Sequence, residues 1–235
     1  MKKLDVMVWS DVVCPWCWIG KRHLEQALER FEHRDNVEIT WRAFELDPSA
    51  PKTTSDQPLT VVERLAKKYG KSKVEAQAMV DRVTHIAKGD GLDMRFENAK
   101  AANTLDAHRV LHLAHERGVQ DAVKERFLRA HFVEGEVMSD PSVLTRLAAE
   151  VGLDVDEVAS VLGSDIYTAE VRQDQAEARA IGVSGVPFFV VGRYALSGAQ
   201  PAEALLGALE KAWEEAPELP VTLAEGATCG PEGCA

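Results

Sequence analysis

Thiols are scarce in this chain. Its 235 residues contain four cysteines, Cys14 and Cys17 near the start and Cys229 and Cys234 at the end, with none between. That is too few for the disulfide-stapled scaffold of a small secreted protein. Basic charge is also short, with 27 Lys and Arg against 38 Asp and Glu and a net charge of −11. Nucleic-acid phosphates demand a basic face, and so does an anionic membrane surface, so neither is an expected partner. No apolar run approaches the roughly 18 residues of a membrane-crossing helix. Near the N-terminus the apolar stretch is only Val6–Trp9, directly after Asp5, unlike the longer uncharged core of a secretory leader. The expected compartment is therefore the cytoplasm, where paired cysteines more often serve catalysis or metal binding than architecture. No repeat suggests a solenoid.

What is present is an ordinary globular composition, 46% hydrophobic and 28% charged, long enough for one large domain or two small ones. Leu4, Val6 and Val8, with Met7 and Trp9, read as a buried strand. From about Pro15 the pattern turns helical, with Trp18, Leu24, Leu28 and Phe31 close to one face. Val37, Ile39, Trp41 and Ala43 then alternate with polar residues, which predicts a strand to about Leu46. After the Pro-rich connector from Asp47 to Pro58 the strand signal disappears. Ser72 and Glu75 form a capping-box candidate, a helix is expected from about Glu97 to Gly118, and Asp140-Pro141 reads as an N-cap followed by proline at N1. Strands return at Pro187–Val191 and Tyr194–Ser197 around a Gly192-Arg193 turn, and Pro201 opens a last helix. The order βαβ, helical block, ββα implies one α/β domain with a helical insertion, because each outer piece is an incomplete sheet. The expected division is residues 1–48 and 181–215 for the sheet domain, 49–180 for the insertion, and 216–235 for a mobile tail.

Cys14-Pro15-Trp16-Cys17 falls between a strand and a helix. The first-turn amides of a helix lack intrahelical acceptors, and the dipole places partial positive charge there. A thiolate at Cys14 would be stabilised by both, and Pro15 fits N1 at no cost in hydrogen bonds. Comparable helix-start motifs lower a cysteine pKa from about 8.5 to roughly 3.5–7. Cys14 is then the attacking thiol, and Cys17, one turn on, resolves the mixed disulfide. Two other readings of the spacing are a pair of merely buried cysteines, and zinc held by all four cysteines. Pro-Trp between the ligands does not look like a zinc knuckle, and no resident metal is expected.

Cys14-Pro15-Trp16-Cys17 after a strand, the helical block, and Gly185-Val186-Pro187-Phe188-Phe189-Val190 together resemble the DsbA family of thioredoxin-fold proteins. Ser10-Asp11-Val12-Val13 before the cysteines, Phe44-Glu45-Leu46 and Asn103-Thr104-Leu105-Asp106-Ala107-His108-Arg109 are similar to its FrnE-like branch. The resemblance covers the chain to about Trp213. It implies a thioredoxin fold with a large inserted all-helical domain, disulfide exchange with protein thiols and disulfides, and a cis peptide at Val186-Pro187. It also implies that the Val186 backbone contacts a bound peptide beside Cys14, with Pro15, Trp16 and Pro187 completing the binding surface. No cofactor is implied beyond the redox-active disulfide, with glutathione or a thioredoxin-type protein as candidate reductant. Thioredoxin-fold oxidoreductases commonly bury an acid six residues before the first cysteine. Val8 stands there in this chain, so Asp11 is a candidate for part of that role, against a simple loop or cap position. The resemblance places His108 facing the site as an accessory candidate, while Trp9 and Trp18 read as core.

The tail thiols Cys229 and Cys234 are a candidate second dithiol that relays electrons to Cys14 and Cys17, or else surface groups without a role. Kappa-class glutathione transferases and 2-hydroxychromene-2-carboxylate isomerases share the fold and a similar start, which makes a glutathione-dependent isomerase or transferase the alternative function. Those relatives typically carry serine at the first reactive position and lack the second cysteine. A third reading is a holdase that uses the apolar rim around Trp16.

Overall fold

The computed structural model describes residues 2–52 and 59–216, with the backbone of 229–230 and 233–234. A four-stranded sheet organises the chain. Strand β1 (Leu4–Ser10) pairs in parallel with β2 (Val37–Ala43) and antiparallel with β3 (Phe188–Val191), which pairs antiparallel with β4 (Tyr194–Ser197). The order is β2-β1-β3-β4. The N-terminal strands thus gain their third neighbour from nearly 180 residues downstream, which is why neither end of the chain makes a sheet alone.

Helix α1 (Pro15–Arg30) connects β1 to β2. Its Leu24 and Ala27 meet Val6 and Val8 of β1, Phe189 and Val191 of β3, and Leu205 and Leu209 of the C-terminal helix in one core. The opposite face of the sheet is covered through Trp9 and Ala178, with Phe188 and Val190 packed against them.

Between β2 and β3 every regular element among the described residues is helical. These are α2 (Val61–Tyr69), α3 (Lys73–Gly89), α4 (Leu105–Glu116), α5 (Gln120–Arg129) leading into a π-helical turn (Ala130–Glu134), α6 (Pro141–Ala149), α7 (Val155–Leu162) and α8 (Thr168–Ala180). The final helix, α9 (Ala202–Glu215), follows the hairpin. Thr60 and Ser72 start α2 and α3 with complete capping boxes to Glu63 and Glu75, and the Asp140 carboxylate accepts from the Ser142 and Val143 amides at the start of α6. Each cap satisfies amides that a helix start otherwise leaves open.

Two elements differ from the pattern read in the sequence. Strand β2 ends at Ala43, short of Leu46, because the Leu46 amide donates to the Asp11 carboxylate at 2.8 Å rather than continuing the ladder. Helix α4 begins at Leu105, not near Glu97. Ahead of it, Asn103 turns the chain: its side chain donates to the Pro48 carbonyl at 3.2 Å and accepts from the Leu105 amide at 3.1 Å.

The insertion is seated on the start of α1. Trp18 and Ile19 of α1 enter a core with Leu128 and Phe132, and Val12 enters another with Val110, Leu111 and Phe127. The segment carrying Cys14 and Cys17 is therefore clamped between the sheet and the inserted helices.

Candidate active site

Cys14 is the N-cap of α1, with extended backbone and Pro15 at N1. Both cysteines are free thiols. Cys14 retains 4% of its surface and Cys17 none, so Cys14 is the thiol that reaches the outside. Its Sγ lies 3.6 Å from the Val186 carbonyl oxygen, and the Val186-Pro187 bond is cis. Trp16, between the cysteines, is 36% exposed, while Trp9 and Trp18 are buried. The Trp9 indole donates to the Asp174 carbonyl at 2.9 Å, and the Trp18 indole donates to the Glu125 carboxylate at 3.1 Å.

The protonation pattern differs from that expected of a bare helix start. Cys14 is pushed well above an ordinary cysteine, first by donating its hydrogen to Cys17, then by burial, then by the charges of Cys17 and Asp11. The Cys17 amide is the group of the first turn that works the other way. Cys17 is lowered: burial opposes its ionisation, and the Cys14 S–H, the charge of Lys124, the Ser10 hydroxyl and the Asp11 backbone outweigh burial. The two thiols therefore act as one acid that gives up its first proton readily and holds the second. The expected thiolate stabilisation therefore belongs to the pair rather than to Cys14 alone.

Asp11 is fully buried one loop ahead of Cys14. One carboxylate oxygen accepts from the Leu46 amide, and the other lies 3.4 Å from His108 Nε2. Burial works to raise its pKa; His108, the Leu46 amide and Lys124 outweigh burial and hold it below the usual carboxylate value. No side-chain cap bond forms at the helix start beside it. The structure thus brings together Asp11, Cys14, Cys17, His108 and the Val186 carbonyl. Glu45, next to Leu46, is buried and held by Arg172 and by Gln175, whose side-chain amide donates at 2.7 Å. In Asn103–Arg109, Arg109 gathers the carbonyls of Val161, Ser164 and Ile166 at the end of α7. That motif anchors the insertion and aims His108 at the site. For Cys229 and Cys234 the backbones of Cys229–Gly230 and Gly233–Cys234 pair antiparallel, and their side chains lie outside the described residues.

Three groups at this site have no role assigned from the sequence, and two of them, Lys124 and His131, lie in no motif. Ser10 is fully buried beside Cys17. His131, in the π-helical turn, is buried and its pKa is pushed down to about 4 by burial. Lys124 of α5 is 0% exposed, and its Nζ has no hydrogen-bond partner among the described residues. A signal for Lys124 exists in the sequence: it sits in the inward stripe Gln120, Val123, Lys124, Phe127, Leu128, a helical apolar face interrupted by an ammonium.

Comparison with known proteins fits this geometry. Residues 5–210 match the family model of the DSBA-like thioredoxin domain. The Bacillus subtilis (strain 168) protein YwbO is 30% identical over 198 residues, 83% of this chain and 90% of its own. A crystal structure of a probable DsbA oxidoreductase from Streptomyces coelicolor superposes with a TM-score of 0.84 at 44% identity, covering 99% of this chain and 98% of the other. A cytosolic disulfide reductase, DsbM from Pseudomonas aeruginosa, shares the fold at a TM-score of 0.55 and 18% identity over 90% of this chain and 96% of its own.

Proposed function

The chain belongs to the DSBA-like thioredoxin domain family, and from that premise we propose that it is a thiol–disulfide oxidoreductase acting on protein disulfides through Cys14 and Cys17. The observation that carries this reading is a pair of free thiols at a helix start, the outer one beside the Val186 carbonyl. An extended peptide laid along Val186 would bring its sulfur to Cys14, with the exposed Trp16 ring and Pro187 as apolar neighbours.

In the reducing direction, the shared hydrogen moves from Cys14 to Cys17 and the Cys14 thiolate attacks the substrate disulfide. One substrate sulfur leaves, and a mixed disulfide forms on Cys14. Cys17 then gives up its proton and attacks Cys14, the ring closes, and the second substrate sulfur leaves. The substrate gains two electrons, and the Cys14–Cys17 pair supplies them. Oxidation of a substrate dithiol runs the same steps backwards. Asp11, held by Leu46 and His108, fixes a negative charge near the thiols and so tunes when they ionise. Leu46 and His108, from the two segments similar to the FrnE-like branch, meet at this carboxylate.

The alternative, a glutathione-dependent isomerase, draws on a shared fold: a 2-hydroxychromene-2-carboxylate isomerase superposes with a TM-score of 0.67 at 17% identity. A pair of cysteines separated by only Pro15 and Trp16 favours exchange over it. A glutathione complex is known for the DsbM neighbour, and glutathione is our candidate small-molecule reductant here. The test is equilibration in glutathione buffers followed by alkylation. A single reversible Cys14–Cys17 disulfide is expected; thiols that never pair at any buffer ratio would refute the proposal. Insulin reduction and refolding of a scrambled substrate then sort reductase from isomerase.

A further inference from the structure

A buried lysine with no partner has a cost that the fold itself does not require. Lys124 has no exposed surface and, among the described residues, no hydrogen bond at Nζ, although burying an unpaired ammonium costs several kcal/mol. An apolar residue in the same stripe would pack without that cost. Its position is nevertheless well defined. Gln120, one turn earlier, accepts from the Trp41 amide and donates to the Trp41 carbonyl, both at 2.9 Å. Asp121 accepts from the Trp41 indole at 3.0 Å. Helix α5 is thereby fastened to the free edge of β2, with Lys124 Nζ 5.7 Å from the centre of the Trp41 ring. Trp41 pairs with Val8, the strand position at which this chain carries no acid.

Burial holds Lys124 below an ordinary lysine; against it the charges of Cys17, Asp11 and Cys14 favour the ammonium, and Lys21 opposes it. Lys21 is itself neutralised by Glu25 and by Asp121 and Glu125 at 3.1 and 3.4 Å. Around the same cluster stand His108, against Asp11, and His131, neutral by burial. Among the described residues Lys124 is thus a cation with neither a salt bridge nor a hydrogen bond, and it faces the thiol pair as well as Asp11.

We infer that Lys124 is a positioning residue for the redox pair: the inserted helices deliver it as the buried counter-charge of the reduced Cys14–Cys17 dithiol. This rests on the exchange reaction proposed above. In the reduced protein, the Cys14–Cys17 pair keeps one hydrogen and carries one negative charge, and Lys124 is an ammonium. When a substrate disulfide is reduced, one S–S bond breaks in the substrate and one forms between Cys14 and Cys17. The two protons needed by the substrate thiols come from the thiol pair and from Lys124, which loses its counter-charge and becomes a neutral amine. The insertion therefore sets the poise of a site whose cysteines belong to the sheet domain, because a nearby cation favours thiolate and hence the reduced form.

The experiment equilibrates wild type, Lys124→Met and Lys124→Gln in glutathione buffers at neutral pH and reads the fraction of Cys14–Cys17 disulfide. Loss of the cation destabilises the reduced form. The constant for reduction by glutathione is expected to fall at least about tenfold in both variants, equivalent to about 30 mV toward a more reducing couple. Constants equal to wild type, or raised, overturn the inference. A second readout leaves Lys124 in place: wild type is labelled at lysine Cε for NMR, and Lys21→Met identifies the neighbouring signal. One buried lysine should titrate at higher pH in the reduced than in the oxidised protein; identical titrations in both states overturn the inference even if the variants do not fold. Absence of any reversible disulfide in wild type would instead overturn the exchange reaction.

Discussion

Gly20 of α1 lies directly against Pro187: a Cβ built on Gly20 would stand 2.8 Å from Pro187 Cγ and 3.1 Å from Phe189 Cζ. The helix bearing the cysteines and the loop bearing the Val186 carbonyl are held in register by this missing methyl. Inside a helix, Gly→Ala ordinarily stabilises by up to about 1 kcal/mol. Here the neighbours are a proline ring and a core phenylalanine, neither of which can swing aside. Gly20→Ala should therefore destabilise by about 1–3 kcal/mol, the cost of overpacking, and should slow exchange by moving Val186 away from Cys14. Urea unfolding and a disulfide-reduction assay check both halves. A stabilised, fully active variant would show the contact to be slack.

Asp11 gives a prediction with two signs. Its negative charge raises Cys14, so Asp11→Asn should let the thiol pair ionise at lower pH and raise exchange several-fold on the acid side of the profile. An unchanged pH–rate profile would remove Asp11 from the mechanism. Asp11→Asn keeps an acceptor for the Leu46 amide, whereas Asp11→Ala leaves that amide unpaired at a cost of about 1–3 kcal/mol. Because its carboxyl is held below the usual value, the stability it contributes is complete above its unfolded pKa of about 3.9 and is lost as pH falls through the lowered value.

Much of this site is legible in the sequence because it is local. Cys14 and Cys17 lie within one strand–turn–helix and declare themselves through spacing, while Asp11 in the same turn and Val186-Pro187, just ahead of β3, are legible through the family resemblance. Asn103–Arg109 is legible as a motif, although its helix begins eight residues later than the apolar pattern suggests, because Asn103 spends its side chain on the connector. Lys124 and His131 are not legible in this way. Each lies on a helical segment of ordinary composition, and only the docking of α5 on Trp41 turns a mid-stripe lysine toward two cysteines more than a hundred residues earlier.

His131 predicts an acid-side weakness separate from the carboxylates. Its pKa is about 4 in the folded protein against an ordinary 6.5. Between those values the unfolded chain binds a proton that the folded one refuses, so stability falls as pH drops from about 6.5 to 4. The loss is on the order of 3 kcal/mol. Below about pH 4 this contribution is flat. His131→Leu should flatten the stability profile across that window while leaving the carboxylate-driven loss below it. Chemical denaturation at a series of pH values checks it, and equal slopes for wild type and variant would contradict it.

Gln120 predicts how the insertion is attached. It pairs with both backbone polar groups of Trp41 and donates further to the Leu111 carbonyl. Gln120→Leu keeps the volume and strands the buried Trp41 amide and carbonyl, at a cost of about 2 kcal/mol. Hydrogen exchange at the Trp41 amide should accelerate in the variant; unaltered protection would mean that another group satisfies that edge.

The most direct test of the account is where a substrate sulfur is trapped. Wild type, Cys14→Ser and Cys17→Ser are each mixed with a disulfide-bonded protein substrate, quenched with acid and read by intact mass. The account predicts a stable adduct on Cys14 in the Cys17→Ser protein, no adduct in Cys14→Ser, and none in wild type because Cys17 resolves it. An adduct that accumulates on Cys17 in Cys14→Ser, with Cys17→Ser unmodified, would contradict it.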